Sequence, residues 1–234
     1  LSSGKIQNNW TSAHGVNNGS VTKTMRYFVI PARRNSKGLP FKNRKLLPIT
    51  INTIPEKERA RTVVSTDDEE IKKYCHELGI NVHNRSESVS TDTASTTQLM
   101  EEVARHNRWK DDDDVIMLYL TYPQRTYKDI ENIYNFYKSK NGNTLLCKQE
   151  ATTHPYMCYY DLPENKGMRV INHDLYRRQD YPKCFFVSYF VAIFKVGYLK
   201  LLNNNLNHPQ TLFYPLPYDS IDIDTEEDLE KFLK

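Results

Sequence analysis

The chain has 234 residues, of which 38% are hydrophobic and 12% aromatic, so it carries enough apolar material for a folded core, which argues against wholesale disorder. Its 32 basic and 29 acidic residues leave a net charge of only +3, and these totals give no support for binding to a nucleic acid. No apolar run approaches the roughly 18–20 residues that span a bilayer, so no membrane is expected as a partner either.

Residues 1–24 are rich in Asn, Ser, Thr and Gly and show almost no apolar periodicity, which predicts a polar linker or tail. Residues 25–234 are predicted to form one domain. The chain begins with Leu1, which favours a processed or excised piece of a longer protein. The four cysteines lie far apart without zinc-site spacing, and there is no recognisable signal peptide. We therefore expect free thiols and a cytoplasmic protein, or a nuclear one in a eukaryote.

From Met25 onward, strand and helix patterns alternate along the chain. In chain order, the predicted elements are strands over residues 27–32 and 61–66, a helix over 69–78, a strand over 81–83, a helix over 93–106, a strand over 114–121, a helix over 128–138, strands over 144–149, 185–194 and 220–224, and a helix over 226–233. This alternation predicts an α/β protein in which helices cover both faces of a mostly parallel sheet, a Rossmann-like single domain.

A basic loop follows the first predicted strand, where ligands of such sheets bind. Residues 31–43 contain Ser, Gly and two Asn, and six Lys or Arg lie between Arg33 and Lys45. Backbone N–H groups and Lys charges in such a loop can hold a phosphate chain, although a basic loop can also be simply solvated surface. The loop is neither a Walker A motif nor a GxGxxG motif.

Two carboxylates lie close to the carboxyl end of the chain. The alternation of a strand would place Asp222 and Asp224 on the same face, where two hard oxygen ligands could hold Mg²⁺. An Asp-x-Asp pair is common in proteins, so a metal site and an ordinary polar edge both remain open from this pattern alone.

Taken together, six ordered segments resemble the acylneuraminate cytidylyltransferases, which are the CMP-sialic acid synthetases and their CMP-nonulosonate relatives. The segments that carry this resemblance lie at residues 32–43, 64–71, 85 with 92–95, 123–126, 177–183 and 219–229. They follow the order and spacing of the family over roughly residues 25–234. The resemblance implies a three-layer, Rossmann-like nucleotidyltransferase fold.

The resemblance also implies roles for individual residues. Nucleotide contacts are implied for Arg33, Ser36, Lys37, Lys42, Asn43 and Arg85. Sugar contacts are implied for Ser95, Thr96 and Arg178, the last of these at the carboxylate of the sugar acid. Catalytic roles are implied for Lys42, Asp222 and Asp224, with the two aspartates holding Mg²⁺.

The reaction implied by the resemblance joins CTP to an acidic nine-carbon sugar. The anomeric hydroxyl would attack the α-phosphorus, giving a CMP-sugar and pyrophosphate. The Tyr-rich region at residues 150–183 would form a dimerisation and sugar-side insertion, since in the family this region reaches a second subunit. A homodimer is therefore expected.

The chain departs from the family pattern mainly on the sugar side. Tyr119 and Tyr122 replace a family Gln and Ser, Met157 replaces a Lys, and residues 186–192 lack the family's Asn-Gly. Prolines at 48 and 55 further indicate a trimmed helix or an irregular segment after the first loop. Two interpretations follow: a divergent enzyme for another acid sugar, or a catalytically decayed homologue with a structural or interaction role in a larger, processed protein.

Overall fold

The computed structural model describes residues 24–34, 39–91 and 93–233, so the tail predicted over residues 1–24 lies almost wholly outside the described residues. The strands are β1 (Arg26–Pro31), β2 (Thr62–Thr66), β3 (Asn81–Asn84), β4 (Asp114–Met117), β5 (Thr144–Glu150), β6 (Tyr159–Leu162), β7 (Lys166–Arg169), β8 (Phe185–Lys195) and β9 (Leu212–Pro215). The helices are α1 (Lys42–Thr53), α2 (Glu56–Arg59), α3 (Glu69–Glu77), α4 (Glu87–Ser90), α5 (Thr96–His106), α6 (Tyr127–Ser139) and α7 (Glu226–Leu233).

The main sheet has the strand order β3-β2-β1-β4-β8-β5-β9. The pairs β1–β2, β1–β4, β2–β3 and β5–β9 are parallel, whereas β8 runs antiparallel to both of its neighbours, β4 and β5. The predicted mostly parallel sheet of an α/β protein is therefore confirmed. Because β1, β2 and β4 run in the same direction, their carboxyl ends meet at one edge of the sheet.

Helices cover both faces of this sheet, and the central strands are apolar on both sides. In β1, Ile30 belongs to a buried apolar cluster that includes Leu46 of α1, Ile71 of α3 and Ile133 of α6. The neighbouring Val29 packs on the opposite face with α5, where Val103 is buried. Strand neighbours point to opposite faces, so a strand buried on both faces is a continuous apolar run. These are the three layers that the sequence predicts.

Capping groups decide where several helices begin. Ser95 forms a reciprocal capping box with Gln98, so α5 begins at Thr96 and not at residue 93. Asp68 accepts hydrogen bonds from the backbone N–H groups of Glu70 and Ile71 and so starts α3. Among the described helices, none combines the length and the apolarity needed to cross a membrane.

The segment after the first loop is a regular helix of 12 residues, which corrects the expectation of an irregular segment. Pro48 lies inside α1, where it removes one backbone hydrogen bond. The helix nevertheless continues to Thr53 because Leu46, Leu47 and Ile51 are buried against the sheet. Packing of these apolar side chains therefore outweighs the helix-breaking tendency of one proline.

Near the carboxyl end, one predicted strand is wrong and one observed strand was not predicted. Residues 220–224 pair with no strand, and their link to the sheet edge is a hydrogen bond of 2.8 Å from the Ile223 N–H to the Thr121 carbonyl. Conversely, Leu212–Pro215 forms β9 and pairs in parallel with β5, although its prolines at 209, 215 and 217 hide the strand signal.

An extended excursion separates β5 from β8, and we call residues 151–184 the arm. Its ends meet, since Glu150 pairs with Phe185 and the Ala151 N–H donates to the Cys184 carbonyl at 3.2 Å. Within the arm, β6 and β7 form a separate antiparallel hairpin whose residues are all exposed.

Candidate active site

A cleft of about 270 Å³ lies beyond the carboxyl ends of β1 and β4, at the sheet edge where ligands of such folds bind. It is lined by Pro31, Arg33, Lys42, Asn43, Arg85, Thr91, Ala94, Ser95, Thr96, Leu99, Tyr119, Leu120 and Thr121. These residues come from the strand ends, from the first turns of α1 and α5, and from the segment after β3. Three cations line the cleft and, among the described residues, no carboxylate does.

Two helix N-termini contribute to the cleft. Lys42 and Asn43 are the first residues of α1, and Thr96 is the first residue of α5. The unpaired N–H groups and partial positive charge of a helix N-terminus favour an anion. The arrangement therefore suits a ligand with several negative charges.

Lys42 is buried to 7% exposure and lies between the cleft and the segment before α7. Its Nζ donates to Asp224 Oδ1 at 2.7 Å and to the Ile223 carbonyl at 3.1 Å. An ammonium group has three donors, so these contacts leave one for a ligand. This ion pair joins two residues that lie 182 positions apart in the sequence.

The first loop is held to α1 by a side-chain contact. Asn43 Nδ2 donates to the Arg33 carbonyl at 2.7 Å, and both residues line the cleft. This contact places the cation of Arg33 beside the start of α1. Ser36 and Lys37, the other predicted nucleotide residues of this loop, lie outside the described residues.

Arg85 follows β3 and lines the cleft together with Lys42. Burial lowers the pKa of its guanidinium from the usual value, with the nearby carboxylate of Asp67 acting in the opposite direction. Its Nη2 donates to the Val89 carbonyl at 3.0 Å, while its buried Nε has no hydrogen-bond partner among the described residues.

Asp222 and Asp224 stand beside the cleft and are not part of its lining. Ile223 between them is fully buried, so both carboxylates lie on the outer, exposed side of the segment. Asp222 Oδ2 accepts a hydrogen bond of 2.9 Å from the Tyr122 hydroxyl. One oxygen of each carboxylate has no hydrogen bond within the part of the chain that the structure describes.

The predicted sugar-side residues Ser95 and Thr96 line the cleft together with Tyr119. Thr96 Oγ1 and the Tyr119 hydroxyl are hydrogen-bonded at 2.8 Å, and the Tyr119 ring lies edge-on to that of Tyr189. Burial raises the pKa of Tyr119, so this hydroxyl stays protonated and available as a donor. One wall of the cleft is thus a fixed aromatic ring.

Arg178 is the predicted sugar residue that the structure does not bring to the cleft. It lies in a short 3₁₀ turn of the arm, Arg178–Asp180, and is exposed. The other predicted residues in the described part of the chain all line the cleft or, like Asp222 and Asp224, adjoin it.

Arg125 is a residue whose role at this site the sequence did not reveal. It is 2% exposed, and its guanidinium donates to the carbonyls of Tyr119 at 2.9 Å and of Phe190 in β8. It therefore fixes the backbone of the cleft wall from below. It belongs to the segment at residues 123–126 that carries part of the family resemblance, but no sequence signal shows that both acceptors are backbone carbonyls.

The chain is similar in sequence to a protein family and to several known proteins. The family model described as Cytidylyltransferase matches residues 27–191. An N-acylneuraminate cytidylyltransferase of Streptococcus agalactiae serotype V is 28% identical over 212 residues, covering 86% of this chain and 50% of that protein. Post-translational flagellin modification protein B of Campylobacter coli is 27% identical over 213 residues, covering 86% of this chain and 90% of that protein. The chain thus spans half the length of the streptococcal relative.

A solved structure supports the fold. The structure of CMP:2-keto-3-deoxy-manno-octonic acid synthetase complexed with CTP superposes with a TM-score of 0.63 at 14% identity, covering 89% of this chain and 97% of the other. Together these matches confirm both the family resemblance read from the sequence and the Rossmann-like nucleotidyltransferase fold.

Proposed function

Because the chain belongs to the cytidylyltransferase family, as a divergent relative of the N-acylneuraminate cytidylyltransferases, we propose that it transfers a cytidylyl group from CTP to a sialic-acid-like, nonulosonic sugar. The cleft carries this proposal, since Arg33, Lys42 and Arg85 line it and, among the described residues, no carboxylate does. A triphosphate suits three cations beside two helix N-termini. Two similar proteins are named after acidic sugars, one after an N-acylneuraminate and the other after an octonic acid. These names support an acidic sugar as the acceptor.

In the proposed reaction, the anomeric oxygen of the sugar forms a bond to the α-phosphorus of CTP. The bond from that phosphorus to the bridging oxygen breaks, pyrophosphate leaves, and the hydroxyl proton passes to solvent. Lys42 and Arg85 stabilise the charge that gathers on the phosphate oxygens. Asn43, with Ser36 and Lys37 of the first loop, completes the nucleotide side in this proposal.

We propose Mg²⁺ as the cofactor, with Asp222 and Asp224 as its protein ligands. Each carboxylate has one oxygen that no hydrogen bond occupies among the described residues, and both residues are exposed next to Lys42. Mg²⁺ is usually bound by one or two carboxylates together with phosphates and water, which fits this donor set. When bound, it neutralises the triphosphate and makes the sugar hydroxyl easier to deprotonate.

The cleft wall argues for a sugar other than N-acetylneuraminic acid. The Tyr119 ring is fixed by its hydrogen bond to Thr96 and by the Tyr189 ring, so it does not swing aside without losing both contacts. Overpacking of a closed pocket costs about 1–3 kcal/mol. We therefore propose that Ser95 and Thr96 face an acid sugar with a smaller or different substituent at this position.

A homodimer would explain the distance between Arg178 and the cleft of its own chain. The arm exposes apolar side chains that water solvates poorly, among them Tyr176, which is 94% exposed, and Tyr159, Tyr160 and Met168. The His154, Tyr156, His173 and Tyr181 rings pack on one another and give the arm an internal order. We propose that the arm packs on a second copy and presents Arg178 to the carboxylate of that copy's sugar.

The test is pyrophosphate release from CTP and Mg²⁺ across a panel of nonulosonic and octulosonic acids, with the Lys42→Met variant as the inactive control. We expect release with at least one sugar, poor release with N-acetylneuraminic acid, and loss of release in Arg178→Ala. Sedimentation velocity on the same samples reports the dimer. Rapid turnover of N-acetylneuraminic acid would contradict our interpretation of Tyr119.

The altered residues Tyr119, Tyr122 and Met157 favour a second candidate, a catalytically decayed homologue. The same panel of sugars distinguishes it from the enzyme. A decayed homologue releases no pyrophosphate with any sugar, and its assembly does not change in Arg178→Ala. Calorimetry with CTP and Mg²⁺ then shows whether the nucleotide half of the site has survived the loss of catalysis.

A further inference from the structure

A carboxylate on α5 contacts the chain on both sides of Arg85. Glu102 Oε1 lies 3.3 Å from Nε2 of His83 in β3 and accepts a hydrogen bond of 3.1 Å from the Ser86 N–H. Its other oxygen, Oε2, accepts a hydrogen bond of 2.5 Å from the Ser86 hydroxyl. One side chain therefore holds the residue two positions before Arg85 and the residue that follows it.

The contact with His83 continues into the sheet. Ser65 Oγ lies 3.0 Å from His83 Nδ1, so Ser65, His83 and Glu102 form a chain of polar contacts from β2 through β3 to α5. Because the carboxylate faces Nε2, the proton of the neutral imidazole sits on that nitrogen, and Ser65 donates to Nδ1. Ser65 and His83 are 0% and 1% exposed, so no substrate reaches them. This Ser–His–Glu chain is consequently suited to positioning and not to nucleophilic catalysis.

Charge and burial make Glu102 an effective anchor. Burial raises its pKa, but the hydrogen bonds from Ser86 outweigh this effect and leave the pKa below its usual value. Burial also lowers the pKa of His83, which keeps the imidazole neutral near pH 7. Glu102 is therefore ionised and accepts hydrogen bonds throughout the pH range in which the protein would work.

Among the described residues, two further hydrogen bonds restrain Arg85. Its backbone N–H donates to the Thr66 carbonyl at 3.2 Å, and its Nη2 donates to the Val89 carbonyl at 3.0 Å. Its Nε is buried without a hydrogen-bond partner in the described part of the chain. Since Arg85 lines the cleft, the direction of its guanidinium depends on how firmly the turn that carries it is held.

We propose that Glu102 is a positioning residue, which clamps the turn around Arg85 so that its guanidinium faces the phosphates of a nucleoside triphosphate in the cleft. The inference rests on the proposed function for the identity of the ligand. The clamp itself rests on the contacts of Glu102 with His83 and Ser86. A displaced guanidinium would weaken binding even though Arg85 is unchanged, because the strength of such contacts depends on distance and direction.

A double-mutant cycle tests the clamp through the affinity for Mg·CTP, measured by calorimetry. We expect Glu102→Ala and Arg85→Ala each to weaken binding about tenfold to a hundredfold, and the double variant to bind no more weakly than Arg85→Ala alone. Glu102→Gln should restore most of the affinity, since its carbonyl oxygen can replace Oε1 and its amide can donate to the Ser86 hydroxyl. Glu101→Ala, at an exposed neighbouring position of α5, should bind as the unmodified protein does.

A second measurement separates positioning from global stability and from the identity of the ligand. The buried Nε–H of Arg85 should give a slowly exchanging NMR signal that is lost in Glu102→Ala and kept in Glu102→Gln, with melting temperatures recorded for all variants. If the unmodified protein fails to bind CTP while this signal pattern holds, the proposed function is wrong and the clamp stands. If Glu102→Ala keeps the signal, or if the losses in the double variant multiply, the clamp is wrong.

Discussion

Lys42 is joined to Asp224 by an ion pair of 2.7 Å that ties the first turn of α1 to the segment before α7. The Lys42 side chain is 9% exposed, whereas that of Asp224 is 69% exposed. The pair thus has a buried cation and a largely solvated carboxylate. Such an arrangement holds the lysine in place at the cleft while leaving the second carboxylate oxygen accessible to a cation.

We expect Asp224→Asn to lower turnover far more than it lowers stability. Removing a charge that acts mainly in the transition state costs about 2–4 kcal/mol in activation free energy. Asparagine keeps an oxygen that accepts from Lys42, and the lost charge belongs to a carboxylate that is 69% exposed, so the free energy of unfolding should fall by less than about 1 kcal/mol. Pyrophosphate release at limiting Mg²⁺ and urea denaturation give the two quantities. Asp219→Asn, in the same exposed segment, is the control, and a near-normal rate in Asp224→Asn would remove this residue from the catalytic site.

Tyr122→Phe should weaken the affinity of the site for a divalent cation about tenfold. Burial, followed by the neighbouring Asp222, raises the pKa of Tyr122, so its hydroxyl stays protonated and donates to Asp222. Phenylalanine keeps the edge-on contact with Phe190 and removes the hydroxyl that donates to Asp222. Binding of Mn²⁺, followed by electron paramagnetic resonance, measures the affinity directly.

A matched control for that variant exists elsewhere in the chain. Tyr134 donates to Asp114 at 2.9 Å, the same distance as between Tyr122 and Asp222, but at the amino end of β4. Tyr134→Phe should therefore leave the Mn²⁺ affinity unchanged. An equal loss in both variants would mean that the effect of Tyr122 is not specific to the site.

Arg125→Met should lower the free energy of unfolding by about 1–3 kcal/mol, because the carbonyls of Tyr119 and Phe190 lose their buried donor. Burial lowers the pKa of Arg125 to about 10, so the guanidinium that methionine would replace is charged at neutral pH. Urea denaturation is the measurement. Lys128→Met, at an exposed position of α6, should change the stability by less than about 0.5 kcal/mol. Equal stability of the two variants would contradict a structural role of Arg125.

The stabilising contribution of His83 should diminish below about pH 6.5, the usual pKa of histidine. Burial lowers the pKa of His83 in the folded protein, so below pH 6.5 the unfolded chain binds more protons than the folded one. Between pH 7.5 and 5.5, the stability difference between the unmodified protein and His83→Gln should therefore shrink, by up to about 1.4 kcal/mol per pH unit below 6.5. His76→Gln, at an exposed position of α3, gives the baseline. A stability difference between the unmodified protein and His83→Gln that widens on acidification would contradict this prediction.

Local signals in the sequence predict most of the sheet and the cationic part of the site. Residues 27–31 of β1 form a continuous apolar run, and the cations after β1 follow directly from their place at a strand end. The direction of β8 could not be predicted, because its apolar run is compatible with either orientation. The helix that contains Pro48 could not be predicted, because the burial of apolar side chains next to this proline decides whether the helix forms. That burial is a tertiary effect.

Long-range contacts explain the rest of what the sequence could not reveal. Glu102 contacts His83 and Ser86 only because α5 packs against the end of β3, and no spacing along the chain encodes that contact. Similarly, the sequence associates the motif that contains Arg178 with the sugar side of the family, and this assignment stays a prediction. The location of Arg178 on the arm, away from the cleft of its own chain, depends on the three-dimensional path of residues 151–184.

The meeting of the two ends of the arm makes it a separable module. Glu150 and Phe185 are already cross-strand neighbours in an antiparallel pair, a geometry that a two-residue turn is able to close. The chain can therefore lengthen, shorten or exchange this excursion without altering the strand order or the direction of any strand. Selection on the proposed assembly and acceptor choice can then act on the arm while the cleft keeps its own constraints. A chain with the arm replaced by a short turn would separate the two experimentally.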